Sequence, residues 1–206
     1  NMTNLLVMQS GGSTHVLNRS LQGIVQEAEA SGKFGQIMGA RHALDGILND
    51  SIVDLGRYDK KWWDRAGMTP GAILGSSRRK IRDGNVSKIL DTLKCNDIDH
   101  WFMIGGNDSA MTTHRIHQEA KIRGQNLVTV NIPKTIDNDL VMTDHTPGYG
   151  SAARFVSLAV MGAGRDAETM GNASPITMIE VMGRDAGWLA AASVLAKRSD
   201  RDAPHL

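Results

Sequence analysis

The sequence predicts an α/β fold, a mainly parallel sheet with helices on both faces. Short apolar, β-branched runs of strand length recur at residues 4–9, 36–40, 101–104, 127–132 and 176–181. Stretches with helical apolar spacing alternate with them, and glycine-rich turns stand at several of the joints. A repeated strand–turn–helix order is the signature of parallel strands joined by crossover helices.

The elements follow in order. Residues 4–9 form a strand that runs into Ser10-Gly11-Gly12-Ser13-Thr14. From Val16, the positions Val16, Leu17, Leu21, Ile24, Val25 and Ala28 keep one helical face apolar. A strand, a glycine turn and a helix together aim backbone N–H groups and a helix N-terminus at an anion, although many α/β folds make this turn for packing alone. Residues 36–40 read as a second strand and 46–50 as a loop leaving it. Residues 57–65 are charged around Trp62 and Trp63, a pair read as a lid over a core or an interface anchor. Residues 69–80 combine glycine turns with the cations Arg78, Arg79 and Lys80; such a run is ordinarily solvated surface, yet it can also hold phosphate.

Val86, Ile89, Leu90 and Leu93 give residues 86–94 an amphipathic helix. The strand 101–104 leads into Gly105-Gly106-Asn107-Asp108-Ser109, with a helix over 110–123. His114 and His117 on that helix have no third ligand at metal-binding spacing and read as surface residues. The strand 127–132 follows, then a turn at 146–150, a small-residue helix over 151–162, the strand 176–181 and an alanine-rich helix over 188–197.

Composition narrows the function. Apolar residues make up 41% and charged residues 22%, the balance of a water-soluble globular protein. A net charge of +1 offers no basis for a nucleic-acid or membrane-surface partner. The single cysteine, Cys95, rules out an internal disulfide framework and fits a reducing cytoplasm. No signal peptide or membrane-spanning run is visible, so a cytoplasmic location is expected.

The densest chemistry lies at Pro133-Lys134-Thr135-Ile136-Asp137-Asn138-Asp139, directly after a strand. Open α/β sheets bind ligands beyond their strand ends, and a cation beside carboxylates suits phosphate oxygens, a magnesium ion and a hydroxyl that must lose its proton. By composition alone the same seven residues also suit a polar turn. Their order resembles the signature of the phosphofructokinase family, and Gly105-Gly106-Asn107-Asp108-Ser109 and Met182-Gly183-Arg184 match it at fitting distances along the chain. The resemblance covers nearly the whole chain and is strongest between residues 101 and 190.

The resemblance implies transfer of a phosphoryl group to the 1-hydroxyl of fructose 6-phosphate, giving fructose 1,6-bisphosphate as a step of glycolysis. It implies Asp137 as general base, with Thr135, Lys134 and Arg184 in the catalytic set. Gly11, Gly12, Arg78, Gly106, Asp108, Ser109 and Lys134 would bind the donor. Thr135, Asp137, Asp139, Met182, Gly183 and Arg184 would bind the sugar phosphate. Magnesium is the implied cofactor, through Asn107 and Asp108, and a homo-oligomer, a dimer first of all, is the implied assembly. Residues 1–140 would form the donor-binding domain and 141–206 the start of a sugar-phosphate domain whose C-terminal remainder is missing.

The donor follows from two positions. ATP-using relatives carry small residues, often glycine, where this chain has Asp108 and Lys134. A carboxylate at 108 would repel the α-phosphate of a nucleotide, whereas Lys134 would neutralise a short donor without adenosine. The pair resembles the pyrophosphate-dependent branch. Two departures point elsewhere: Asn107 stands where the family has a metal-binding aspartate, and Pro175 where many relatives carry a cation that reaches a neighbouring subunit's sugar phosphate. The competing readings are an ATP-dependent kinase and a non-catalytic sugar-phosphate sensor of the same fold.

Overall fold

A computed structural model of the chain describes residues 2–205. The chain divides into two compact units, Asn1–Lys134 and Thr135–Leu206. The outer limits of the expected parts, Asn1 and Leu206, lie outside the described residues.

The first unit is built on five strands, β1 (Thr3–Gln9), β2 (Phe34–Ala40), β3 (Ile52–Asp54), β4 (Ile98–Gly105) and β5 (Val128–Pro133), in the order β3-β2-β1-β4-β5. β1 lies parallel to β2 and β4, and β4 lies parallel to β5. Only β3 is antiparallel, at the edge beside β2. The helices of this unit are α1 (His15–Ser31), α2 (Leu44–Leu48), α3 (Lys60–Met68), α4 (Asp83–Cys95) and α5 (Asn107–Ile122).

The central strand shows why the sheet reads as continuous apolar runs. Successive strand side chains point to opposite faces, and both faces here are covered. Leu5 and Val7 join Leu17, Leu21 and Val25 of α1 and Trp63 of α3 in one core. Leu6 and Met8 join Ile89, Leu90 and Leu93 of α4 and Ile116 of α5 in the other. All four strand residues are fully buried. From β1 the chain crosses to β2 on one side, while β4 flanks β1 on the other. Such a reversal is where open α/β sheets place a ligand crevice, here beyond the carboxyl ends of β1 and β4.

Several elements differ from expectation. Residues 46–50, read as a loop, belong to the short helix α2 and the approach to β3. Burial of Leu44, Ile47 and Leu48 holds this helix, which is too short to stand on propensity. Gly46 is required there, since a Cβ would lie 2.0 Å from the Arg41 carbonyl oxygen. Asp59 caps α3 by accepting from the Trp62 amide at 2.7 Å. Trp63 is a core residue, and Trp62 stacks on Tyr58 with ring centroids 4.1 Å apart.

The second unit holds α6 (Tyr149–Met170) and α7 (Trp188–Ala192), the latter continued by a 3-10 turn over Ser193–Ala196. The expected helix 151–162 thus runs further, and the expected helix 188–197 tightens part-way. Gly164 fits inside α6 because Ala203 packs against it, 2.7 Å from where its Cβ would stand. The apolar clusters of this unit are small, Ala153, Leu189 and Ala192 in one and Val156, Val160 and Ala196 in the other. The expected strand 176–181 pairs with no other strand among the described residues. Most of its side chains face solvent, Ile176 at 78% and Met178 at 92% exposure, whereas Val181 packs against the apolar clusters of this unit; Phe155 and Leu158 on α6 are also exposed. A strand needs a ladder partner for its backbone groups, and an apolar run alone does not supply one. No described helix is long and apolar enough to cross a membrane.

Candidate active site

The expected donor-binding residues of the first unit gather at the crevice beyond β1 and β4. The turn after β1 is anchored by the Ser10 amide, which donates to the Ile104 carbonyl at 2.9 Å. Gly11 follows at φ +81, a left-handed conformation that favours glycine. Its absent side chain makes room for a cation: a Cβ there would lie 3.1 Å from Lys134 Nζ. Lys134 is 6% exposed, and its amide donates to the Gly105 carbonyl at 2.9 Å, tying the end of β5 to the end of β4. Gly106 is the N-cap of α5 and carries the chain into a first turn of Asn107, Asp108 and Ser109. Ser109 is buried and fills the space a Gly105 side chain would need, its Oγ 2.0 Å from the Cβ position. Asp108 is exposed. Gly12 has open space around it. The result is an ammonium group above a glycine turn, close to a helix N-terminus, an arrangement suited to a compact polyanion.

Residues 69–80 have little regular structure and are held by side chains from elsewhere. Asn18 Nδ2 donates to the Thr69 carbonyl at 2.8 Å, and Asn18 Oδ1 accepts from the Ile73 amide and from Gln9 Nε2, each at 2.9 Å. Gln9 Oε1 accepts from the Leu74 amide at 3.0 Å. At Gly11 the loop meets the glycine turn twice: the Gly11 amide donates to the Ser77 carbonyl at 3.1 Å, and Ser76 Oγ donates to the Gly11 carbonyl at 2.6 Å. Arg78 is exposed, two residues past Ser76.

The expected sugar-phosphate residues lie in the second unit. Thr135 and Asp137 are each 9% exposed, and Thr135 Oγ1 accepts from the Asp137 amide at 3.1 Å. Asn138 adopts φ +58, which asparagine tolerates better than most residues. Its side chain closes the following loop, Oδ1 accepting from the Thr146 amide at 2.8 Å and Nδ2 donating to the Asp144 carbonyl at 3.3 Å. Arg184 reaches Asp137 Oδ2 at 3.9 Å, with its own side chain 66% exposed. Such a pair orients loosely and leaves the guanidinium available to a ligand. Gly183, at φ +128, and Arg184, at φ +48, form the turn, and Met182 is exposed beside them. Asp139 is half-buried. Pro175 is exposed and carries no charge.

No group of three or more His, Cys, Asp or Glu residues able to hold a metal stands among the described residues. Magnesium typically keeps several waters and takes one or two protein oxygens together with phosphate oxygens. Asn107 and Asp108, adjacent oxygen donors in the first turn of α5, fit an ion that arrives with a phosphate donor. His114 and His117 are both exposed on α5.

Two contributors escape a reading of the sequence. Asn138 stands between two aspartates and carries the turn, and an asparagine at a strand end is the signal that marks it. Asp45, in α2, reaches the loop 32 residues further on, where its Oδ2 accepts from Ser77 Oγ at 2.6 Å. That bond, with the Arg79 guanidinium beside it, holds the Asp45 carboxyl below its usual range against the opposing effect of burial. No local pattern announces so distant a contact.

The chain as a whole is similar to known proteins. The family model described as phosphofructokinase matches residues 4–201. The chain is 40% identical over 202 residues to the pyrophosphate–fructose 6-phosphate 1-phosphotransferase of Rhodospirillum rubrum, covering 98% of this chain and 49% of that protein. It is 39% identical over 210 residues to the protein of the same name from Xanthomonas campestris pv. campestris, covering 98% and 50%. The crystal structure of a pyrophosphate-dependent phosphofructokinase from Nitrosospira multiformis superposes with a TM-score of 0.85 at 35% identity, covering 98% of this chain and 51% of that one. The chain spans about half the length of the curated relatives it matches. It belongs to the phosphofructokinase family, and its sequence aligns with the pyrophosphate-dependent branch.

Proposed function

We propose that the chain serves a phosphotransferase that moves a phosphoryl group from pyrophosphate to the 1-hydroxyl of fructose 6-phosphate. The observation that carries this reading is the buried Lys134 ammonium lodged against Gly11, 3.1 Å from where a Cβ would stand. A buried cation beside a glycine turn suits a donor whose charge is concentrated in two phosphates. Asp108, exposed in the first turn of α5, adds a carboxylate that repels a longer polyphosphate chain.

In the reaction a P–O bond forms between the sugar O1 and the terminal phosphorus, and the bridging P–O bond of pyrophosphate breaks. Orthophosphate leaves with that electron pair. The hydroxyl proton passes to the Asp137 carboxylate, while Arg184 faces the equatorial charge and Thr135 positions the acceptor. Three peptide steps separate Lys134 from Asp137, at most about 11 Å of extended chain. Gly11, Gly12, Gly106, Ser109 and Arg78 bind the donor in this reading; Asp139, Met182 and Gly183 bind the sugar phosphate. Magnesium, held by Asp108 and Asn107 together with phosphate oxygens, supplies charge neutralisation when bound. Donor binding is assigned to residues 1–140 and the start of the acceptor domain to 141–206, in a homodimer acting in glycolysis.

The test compares pyrophosphate with ATP at equal magnesium, in binding to the chain and in phosphorylation of fructose 6-phosphate. Pyrophosphate should bind and support turnover, and Asp137→Ala should abolish turnover with the fold intact. Preference for ATP would make this an ATP-dependent kinase. Ligand binding without turnover by either donor, persisting when the C-terminal part is restored, would favour the sugar-phosphate sensor.

A further inference from the structure

We infer that Asp45 is a positioning residue for donor recognition, fixing the residues on either side of Arg78 so that this guanidinium serves an anionic donor. The inference deepens the pyrophosphate reading and rests on it for the identity of the ligand.

The loop carrying Arg78 has two anchors. One is Gly11, through the Ser77 carbonyl and the Ser76 hydroxyl. The other is the segment around α2. There the His42 amide donates to the Leu74 carbonyl at 2.8 Å, and the His42 imidazole occupies the space beside Gly75, with Nδ1 2.4 Å from where a Cβ would stand. Asp45 completes this second anchor. Its Oδ2 accepts from Ser77 Oγ at 2.6 Å, and its Oδ1 pairs with Arg79 Nε. Ser77 Oγ in turn accepts from the Arg79 amide at 3.0 Å.

This clamp distinguishes Arg79 from Arg78. Arg79 is committed to Asp45 and is withdrawn from ligand binding. Arg78 is exposed and has no hydrogen-bond or ion-pair partner among the described residues. Ser77 and Arg79 are thus tied to one carboxylate, and Arg78 between them is the one of these three residues left to solvent without a partner among the described residues. The residues on either side of Arg78 are thereby held before any ligand arrives, which lowers the backbone entropy lost on binding. An apolar side chain at 45 would free both Ser77 and Arg79 while leaving the Gly11 anchor in place.

The test uses the whole 206-residue chain, with magnesium pyrophosphate as the probe in calorimetry and limited trypsin digestion as a probe of the loop. Asp45→Leu should weaken pyrophosphate binding about tenfold, the order of one charge-assisted hydrogen bond. Asp45→Asn, which keeps an acceptor for Ser77 but loses the charge facing Arg79, should weaken it about threefold and serves if the leucine variant fails to fold. In an Arg78→Ala background, Asp45→Leu should cause no further loss, since the two residues act as one unit. Trypsin should cut at residues 78–80 about tenfold faster in Asp45→Leu, with cleavage elsewhere unchanged. A full loss persisting in the Arg78→Ala background, or unchanged cleavage at 78–80, would overturn the inference. Failure of the unaltered chain to bind pyrophosphate would instead refute the donor reading, and the trypsin rates would still decide whether Asp45 holds the loop.

Discussion

Gly11 and Gly12 are neighbours, yet an added methyl should affect them in opposite directions. At Gly11 the backbone sits at φ +81, where an L side chain costs about 1–2 kcal/mol. The new Cβ would also lie 3.1 Å from Lys134 Nζ, so the ammonium must retreat by a few tenths of an ångström. Gly11→Ala should therefore destabilise the first unit by about 1–2 kcal/mol and weaken pyrophosphate binding about three- to tenfold. At Gly12 no atom lies within 4 Å of the Cβ position and φ is not left-handed. Gly12→Ala should be neutral or stabilising by up to about 1 kcal/mol, because alanine restricts the unfolded chain. Urea denaturation followed by tryptophan fluorescence suits the comparison, since Trp63 and Trp101 are both fully buried in the first unit. With a slope of about 1–3 kcal/mol per molar, a loss of about 1.5 kcal/mol lowers the midpoint by roughly 0.5–1.5 M. Equal midpoints for the two variants would refute the claim that the cation and the backbone conformation at Gly11 set its identity.

Two further outcomes follow from the same unit. Asn18→Leu removes an amide that serves Gln9, Thr69 and Ile73, and should cost about 2–4 kcal/mol while loosening residues 69–74; a loss under about 1 kcal/mol in the same urea titration would show the amide to be dispensable. Asp45, held below its usual range chiefly by the Ser77 bond and then by Arg79, with His42 also nearby, contributes stability that is complete above its unfolded pKa of about 3.9 and is lost as pH falls through the lower folded value. The stability gap between the parent chain and Asp45→Asn should accordingly close as pH drops from about 7 to about 2, and a constant gap would contradict the assignment.

Much of the first unit was legible because its information is local. The strand at residues 4–9, the helix after it and the helix at 86–94 announce themselves through apolar spacing, and the structure places them at β1, α1 and α4. Strand 101–104 and strand 127–132 were recognisable for the same reason, and glycine marked the turn at Gly11. What escaped was non-local. The short helix α2 exists because Leu44, Ile47 and Leu48 find a core, which no window of sequence reveals. The run 176–181 has strand composition, but pairing depends on a partner elsewhere, and none is present among the described residues. Asp45 has no local pattern around it that marks its role, because its partners Ser77 and Arg79 come to it only through the fold. Likewise, the motif at 133–139 displayed its acids and cation but hid the role of Asn138 in holding the turn.

The bare run at residues 176–182 has a consequence for the behaviour of the polypeptide in solution. Ile176, Thr177, Met178, Ile179, Glu180, Val181 and Met182 form a window rich in β-formers, free of proline and bearing a single charge. Backbone left without a ladder beside exposed apolar side chains is a template for another chain to add a strand. Glu180 is then the gatekeeper of this stretch: mutual repulsion between copies of that one carboxylate resists stacking, and its substitution by a neutral residue would leave the window without a charge.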